Sequence, residues 1–322
     1  MREIMSTSKT IIVKRVQGLL GSACFVTLTF ALLTSPSAGQ QPGQKTFASP
    51  GEAAEAMIAA AKAGSTDALR QIFGPEGKEL LSSGDDVADK NGRNNIIQKY
   101  EQMHRLVREP DDTVTVYMGA ENWPFPIPLV KKGNAWYFDT PAGKQEVLYR
   151  RIGKNELATI DVLHAIVDAQ KQYQSETHDG ETAKQYAMKI VSDPGKHNGL
   201  YWKVAAGEPQ SPIGPLIADA VSAGYTRKQS GPTPFHGYTY KHLSSQGPAA
   251  PGGAKDYMVD GKMTGGFGVL AYPAEYRNSG VMTFMVNQDG IVYQRDLGPE
   301  TAKIAAAMTQ YNPDPSWQKA EE

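Results

Sequence analysis

His164 stands three residues after Asp161 and four before Asp168. On a helix this spacing puts the imidazole and both carboxylates on one face, a geometry suited to orienting the ring or sharing a cation. Asp161, His164 and Asp168 are therefore the candidate metal set. A solvated polar face that also includes Lys171 is the plainer account of the same spacing. A second group, His178, Asp179, Glu181 and His197, has the residue types of metal ligands, but it lies in segments of loop composition that fix no mutual distance. Asp85, Asp86, Asp89, Asn91 and Gly92 carry part of a calcium-loop pattern. With Gly92 as the sharp-turn glycine, the first ligand position falls on Val87 and the twelfth on Gln98, so an EF-hand fails. A looser calcium site and a helix-capping turn both stay open.

The candidate binding residues are Trp123, Arg150, Arg151, Tyr201, Trp202, His236, Tyr238 and Tyr240. In a strand, His236, Tyr238, Tyr240 and His242 share one face. That face either stacks on a sugar or peptide or is the covered side of a sheet. Arg150-Arg151 can bind an anion, although pairing with Asp139, Glu146 or Glu156 is the simpler account. Of established catalytic motifs the chain has none: no G-x-S-x-G, no Walker loop, no G-x-G-x-x-G, no H-E-x-x-H and no S-x-x-K set. No motif requires a cofactor.

The element that must position these residues is a spine helix over residues 150–175. Leu157, Ile160, Leu163 and Val167 make one apolar stripe, and Val162, Ile166, Ala169 and Tyr173 a second beside it. Two adjacent stripes predict burial over a wide arc, with material packed on two sides. Before it, Ser49-Pro50 with Glu52 starts a helix that ends at Gly64. Short helices follow from Thr66-Asp67 to Phe73 and over 76–81, and helical spacing of Ile96, Ile97, Tyr100, Met103 and Leu106 predicts another over 94–107. The period then changes to that of strands over 113–118, 126–131 and 135–139, the last two a hairpin about Lys132-Gly133-Asn134. After the spine, residues 179–192 read as loop then helix and 216–223 as a short helix. Strands are expected over 235–243 and 266–272, a hairpin over 280–287 and 290–296, and a last helix over 299–308. The fold class is α+β.

A chain of 322 residues with 40% hydrophobic and 21% charged residues is of ordinary globular composition, long enough for about two domains. A net charge of -1 offers no field to recruit nucleic acid. Arg2, Lys9, Lys14 and Arg15 precede an apolar run over 19–33, and Pro36-Ser-Ala-Gly39 supplies small residues for cleavage before Gln40. Residues 1–39 thus read as a cleaved secretory signal, leaving no membrane anchor and placing the mature protein in the periplasm or outside the cell. Cys24 lies within that segment. A lipid-attachment reading at Cys24 conflicts with the apolar run that follows it.

Trp123-Pro-Phe-Pro-Ile-Pro128, Arg150-Arg-Ile-Gly-Lys-Asn-Glu156, Gly199-Leu-Tyr-Trp202, His236-Gly-Tyr238, Ala249-Ala-Pro-Gly-Gly253 and Asp296-Leu-Gly-Pro299 occur in that order. Together they resemble the bacterial family catalogued as domain of unknown function 2950, from about Phe47 to Trp317. That resemblance implies a secreted bacterial protein and assigns no activity. Helices followed by a curled antiparallel sheet ending in Gly133-Asn-Ala-Trp-Tyr-Phe-Asp139 look like the cone-shaped nuclear-transport-factor-2-like domains. Residues 155–174 with Gly237-Tyr-Thr-Tyr240, Ala271-Tyr-Pro273, Ser279-Gly-Val-Met-Thr-Phe284 and Gly290-Ile291 are similar to the globular heads of type IV pilins and pseudopilins. The glutamate of a pilin processing site is missing, however: taking Gly18 as the cut, Ala23 stands in its place.

The expected layout is a signal over 1–39, a cone-like α+β domain over 40–149 and a pilin-head-like α+β domain over 150–322. The expected role is a non-enzymatic binding or accessory protein of the cell envelope, with an envelope protein or a small ligand as partner. The rival is a secreted hydrolase or metal-dependent enzyme using the His/Asp groups. An enzyme should show a pocket in which several ionisable groups lie within hydrogen-bonding reach of one another; a binding module should show an apolar or aromatic concavity.

Overall fold

Ser49 caps the first helix, α1 (Pro50–Lys62), by accepting a hydrogen bond from the Glu52 N–H at 3.1 Å, while the Glu52 carboxylate returns to the Ala48 N–H at 2.9 Å. This reciprocal cap contributes about 1 kcal/mol and sets the register in which Ala53, Ala54, Met57 and Ile58 face inward. In the computed structural model, which describes residues 40–205, 207–226 and 233–320, α2 (Thr66–Phe73), α3 (Lys78–Leu81) and α4 (Asp86–Gln102) follow. The expected signal segment, with Cys24, lies outside the described residues.

The helix expected over 94–107 starts earlier and stops sooner. Asp85 caps α4 through its carboxylate and the Ala88 N–H at 2.9 Å. Met103 turns extended, and Leu106 enters a strand, β1 (His104–Arg108), paired antiparallel with β2 (Val114–Met118). Hydrogen bonding across that hairpin outweighs the helical spacing of Met103 and Leu106, and the Gly119 N–H closes the α4 end on the carbonyls of Lys99 and Met103. With β3 (Trp123–Pro124), β4 (Leu129–Lys132) and β5 (Ala135–Phe138), the sheet runs β1-β2-β4-β5, with β3 on β2. The β4–β5 hairpin is as expected.

The spine is longer than its apolar stripes indicate. It begins at Thr140, not near residue 150, because Asp139 accepts from the Ala142 N–H and Pro141 suits a first turn. The helix α5 (Thr140–Gln174) has 35 residues, about 52 Å at 1.5 Å per residue. The expected boundary between residues 149 and 150 therefore falls inside one helix. Gly143 permits its start: a Cβ there would sit 2.3 Å from the Pro126 carbonyl and 2.6 Å from the Ile127 Cα. Leu157, assigned to the first stripe, is 60% exposed; Ile160, Leu163, Val167 and the whole second stripe are buried.

Residues 179–192 contain no helix. The buried Gln170 side chain takes both hydrogen bonds of Ala187, donating to its carbonyl at 2.9 Å and accepting from its N–H at 2.8 Å. A helix there would have used those two groups itself. Next come α6 (Gly214–Ser222), β6 (Tyr238–Leu243), β7 (Ser245–Gln246), β8 (Lys255–Asp256), β9 (Gly268–Pro273), β10 (Met282–Asn287) and β11 (Tyr293–Asp296). The chain closes with α7 (Thr301–Ala307), β12 (Gln310–Tyr311) and β13 (Gln318–Lys319). The second sheet is antiparallel, ordered β13-β11-β10-β9-β6, and β12-β7-β8 form a small third one.

Two hydrophobic cores result, both within the single compact unit Ser37–Glu322. One is built from α1, α2, β2, β4 and β5; the other from the second half of α5 with β6, β9 and β10. Among the described residues no helix is long and apolar enough to cross a membrane.

A polar seam joins the two regions. Asp85 Oδ2 accepts from the Tyr225 hydroxyl at 2.8 Å and the Gly237 N–H at 3.0 Å, with Asp85 itself 2% exposed. Arg151 donates to the carbonyls of Glu79 (2.9 Å) and Leu80 (2.6 Å) and to the Asn278 side chain, which in turn donates to the Ser82 carbonyl at 2.7 Å. Asn155 donates to the Ser279 carbonyl at 2.9 Å.

Candidate functional site

The core of the first region is closed on its sheet side, where Val116, Met118, Leu129 and Phe138 have no exposure. On its helical side it is open. There Leu80, Leu81, Ile96, Trp123 and Val147 pack on the core while remaining partly exposed, and all five line a cavity of about 450 Å³. This lies within the ~300–1,000 Å³ range of small-molecule sites. Met57, Ile58 and Ala61 from α1, Leu69 and Phe73 from α2, and Phe125 and Ile127 after β3 complete the apolar wall. Phe73, Phe125 and Phe138 form an aromatic group with centroids 5.3–6.3 Å apart, and Trp123 meets Phe125 edge-on at 6.3 Å. Such ring pairs contribute roughly 0.5–1.5 kcal/mol each beyond their burial.

The polar lining comes from two helices. Asp89, Gly92, Arg93, Ile96 and Lys99 lie on one face of α4, spaced by three and four residues; Val147, Arg150, Arg151 and Lys154 do the same on α5. Most of these charges are engaged. Asp89 accepts from the Ser83 N–H (2.9 Å) and hydroxyl (2.8 Å); burial pushes its carboxyl up, opposed by the Ser83 hydrogen bonds and the Arg151 charge. Burial pulls Arg151 down, opposed by Asp89 and Glu275. Lys99 pairs with Glu121. Arg150 pairs with Glu146 at 2.6 Å and lies over the Trp123 ring, 5.4 Å from its centroid. Of the anion pairings foreseen for Arg150-Arg151, the one with Glu146 is present.

Trp123, Arg150 and Arg151 thus meet at one site. The other candidates do not join them. Tyr201 and Trp202 pack on the second core, and Trp202 sits 4.4 Å from the His197 ring and 5.8 Å from the His178 ring. Tyr238 is fully buried, donating to the Met282 carbonyl at 2.9 Å. Tyr240 donates to the Thr159 hydroxyl of α5 at 3.4 Å, so the Tyr238/Tyr240 face is the covered side of its sheet. Burial raises both phenols far above the ordinary tyrosine value. His236 occupies a left-handed position (φ +52°) before β6, outside the strand alternation, and burial lowers its imidazole.

Asp161 and Asp168 are exposed and His164 half-buried along α5. Among the described residues no group of three or more His, Cys, Asp or Glu is placed to hold a metal ion. This holds for Asp161/His164/Asp168, for the His178–His197 group and for the calcium-like run. Asp179 instead accepts the His197 N–H at 2.9 Å and 3.0 Å, and Asp85 is a helix cap.

Arg93, Lys154 and the α1 lining were not singled out from the sequence, and of the α4 lining Asp89 and Gly92 were noted only for a calcium-like pattern. Cations at 150, 151 and 154 and mixed residues at 89, 92, 93 and 96 are the helical spacings that mark them.

A model of the family described as "Protein of unknown function (DUF2950)" matches residues 44–320. No curated protein and no solved structure matches the chain.

Proposed function

The chain belongs to that family, DUF2950, and for this member we propose a non-enzymatic role in the cell envelope: binding a small apolar molecule in the cavity of its cone-like first region. Export through the signal over residues 1–39, with cleavage near Gly39/Gln40, is part of this reading. The observation that carries it is the cavity of about 450 Å³ walled by a partly exposed apolar fringe. An apolar ligand lying against that wall gains by taking its own surface and the wall's out of water. The hydrolase reading asks for free ionisable groups facing one another. Among the described residues Asp89 is the one carboxylate in the lining, and both its oxygens are occupied by Ser83.

The test is titration with the neutral fluorescent probe N-phenyl-1-naphthylamine. Saturable binding is expected for the mature protein. Ala61→Phe and Val147→Phe, which fill the cavity, should abolish it while leaving the fold intact by circular dichroism. No saturable binding, or equal binding in both variants, contradicts the proposal.

A further inference from the structure

The cavity's apolar wall says what the body of a ligand must be; its charged mouth says what the head must be. Five cationic side chains line the cavity, Arg93, Lys99, Arg150, Arg151 and Lys154, against one carboxylate, Asp89, among the described residues. This local excess of positive charge stands on a slightly acidic chain. The cations fall into two classes. Lys99 and Arg150 are neutralised by Glu121 and Glu146, and Arg151 is tied to two carbonyls and Asn278.

Arg93 on α4 and Lys154 on α5 have neither an ion pair nor a side-chain hydrogen bond to any described residue. Arg93 is half-buried and Lys154 exposed, which places them where the cavity meets solvent. Cations above low-dielectric walls concentrate a positive potential in the opening. A guanidinium and an ammonium, one from each side, suit a carboxylate or phosphate oxygen set.

Resting on the cavity reading above, we infer that the ligand is an amphiphile with an alkyl or aryl body and a single anionic head. The body lies against Phe73, Phe125 and Ile127, and the head is held between Arg93 and Lys154. Trp123, with Arg150 stacked on it, is a further part of the lining.

The experiment is displacement of bound N-phenyl-1-naphthylamine by decanoate, decan-1-ol and decyltrimethylammonium, three ten-carbon chains that differ in head charge. Decanoate should displace at about tenfold lower concentration than the cation, with the alcohol between them. Raising salt from about 0.02 to 0.5 M should shrink the difference. The double variant Arg93→Gln/Lys154→Gln should remove it while leaving decan-1-ol unchanged. If the three heads displace equally, or the cation displaces best, the ligand class is wrong although the cavity binds. If the double variant keeps the full preference, the two cations are wrongly assigned. If the probe itself does not bind, the cavity reading fails before the head group is tested.

Discussion

Toward its C-terminus α5 lays Ile160, Leu163, Ile166 and Val167 into a core shared with β6, β9 and β10. Toward its N-terminus the same helix lays Val147, Arg150 and Lys154 along a cavity. Two glycines in the second region are closely enclosed. A Cβ on Gly280 would sit 2.1 Å from the Tyr238 hydroxyl oxygen, and one on Gly268 would meet Leu243, Tyr311 and Tyr257 at 3.1–3.3 Å. Three of its large polar side chains find partners inside: Tyr238 on the Met282 carbonyl, Tyr257 on Gln246, Gln170 on Ala187. At the cavity, by contrast, a Cβ on Gly92 would meet nothing within 4 Å. One helix thus serves a sealed core and an unfilled one. Interiors are ordinarily close-packed, and this difference between the two cores is what the binding proposal rests on.

The comparison is broken most severely at the joint. Asp85→Ala removes a helix cap, ~1 kcal/mol, and orphans the Tyr225 hydroxyl and the Gly237 N–H, ~1–3 kcal/mol each. The expected loss is about 4 kcal/mol, read by urea unfolding. Because α5 carries both cores, Trp136 fluorescence in the first region and Trp317 fluorescence in the second should report one transition, not two.

Next in size is a matched pair of truncations. Leu163→Ala, at a site with no exposure, should cost about 3 kcal/mol because the sealed core cannot collapse around it. Ile96→Ala, in the cavity wall, should cost about 1 kcal/mol because it enlarges a space that already exists. Equal losses would erase the distinction between the two cores.

Acid should act through buried histidines. Burial lowers the imidazole of His242, and burial, helped by Lys154 and opposed by Asp85 and Asp161, lowers that of His236. The unfolded chain therefore binds protons first as pH falls. Stability from these groups is fully present above the unfolded value of ~6.5 and declines below it, by up to ~1.4 kcal/mol per pH unit for each group. His242→Phe should flatten the stability profile between about pH 7 and 5, measured by urea unfolding at several pH values; an unchanged slope would show that His242 is not neutral in the fold.

The smallest effect is expected at Gly92. This helix-interior glycine has open space around it, so Gly92→Ala should stabilise by about 0.5–1 kcal/mol, whereas Gly280→Ala should destabilise. Both are read from thermal unfolding midpoints.

Much of the fold was legible because it is local. The Ser49-Pro50 cap, the β4–β5 and β10–β11 hairpins, and the stripe of Ile160, Leu163, Val167 all follow from neighbours in sequence. The failures have a common physical origin in groups contributed from far away. Leu106 keeps helical spacing but is claimed by pairing with β2, and Ala187, within residues 179–192, gives both its backbone groups to Gln170. The spine's true start was written in Asp139-Thr-Pro141 and overlooked beside the stronger apolar pattern ten residues on. Of the site, Trp123, Arg150 and Arg151 were recognised. The wall was not, since Met57, Ile58, Leu69 and Ile96 read as ordinary core; only their convergence around an unfilled volume distinguishes them.

The central claim is that one core is a binding cavity and the other is not. Methyl-labelled NMR during titration with N-phenyl-1-naphthylamine tests it most directly. Met57, Ile58, Ile96 and Ile127 line the cavity, whereas Ile160, Ile166 and Met285 lie in the sealed core. The account predicts saturable shifts confined to the first set. Shifts centred on the second set, or none in either, would contradict it.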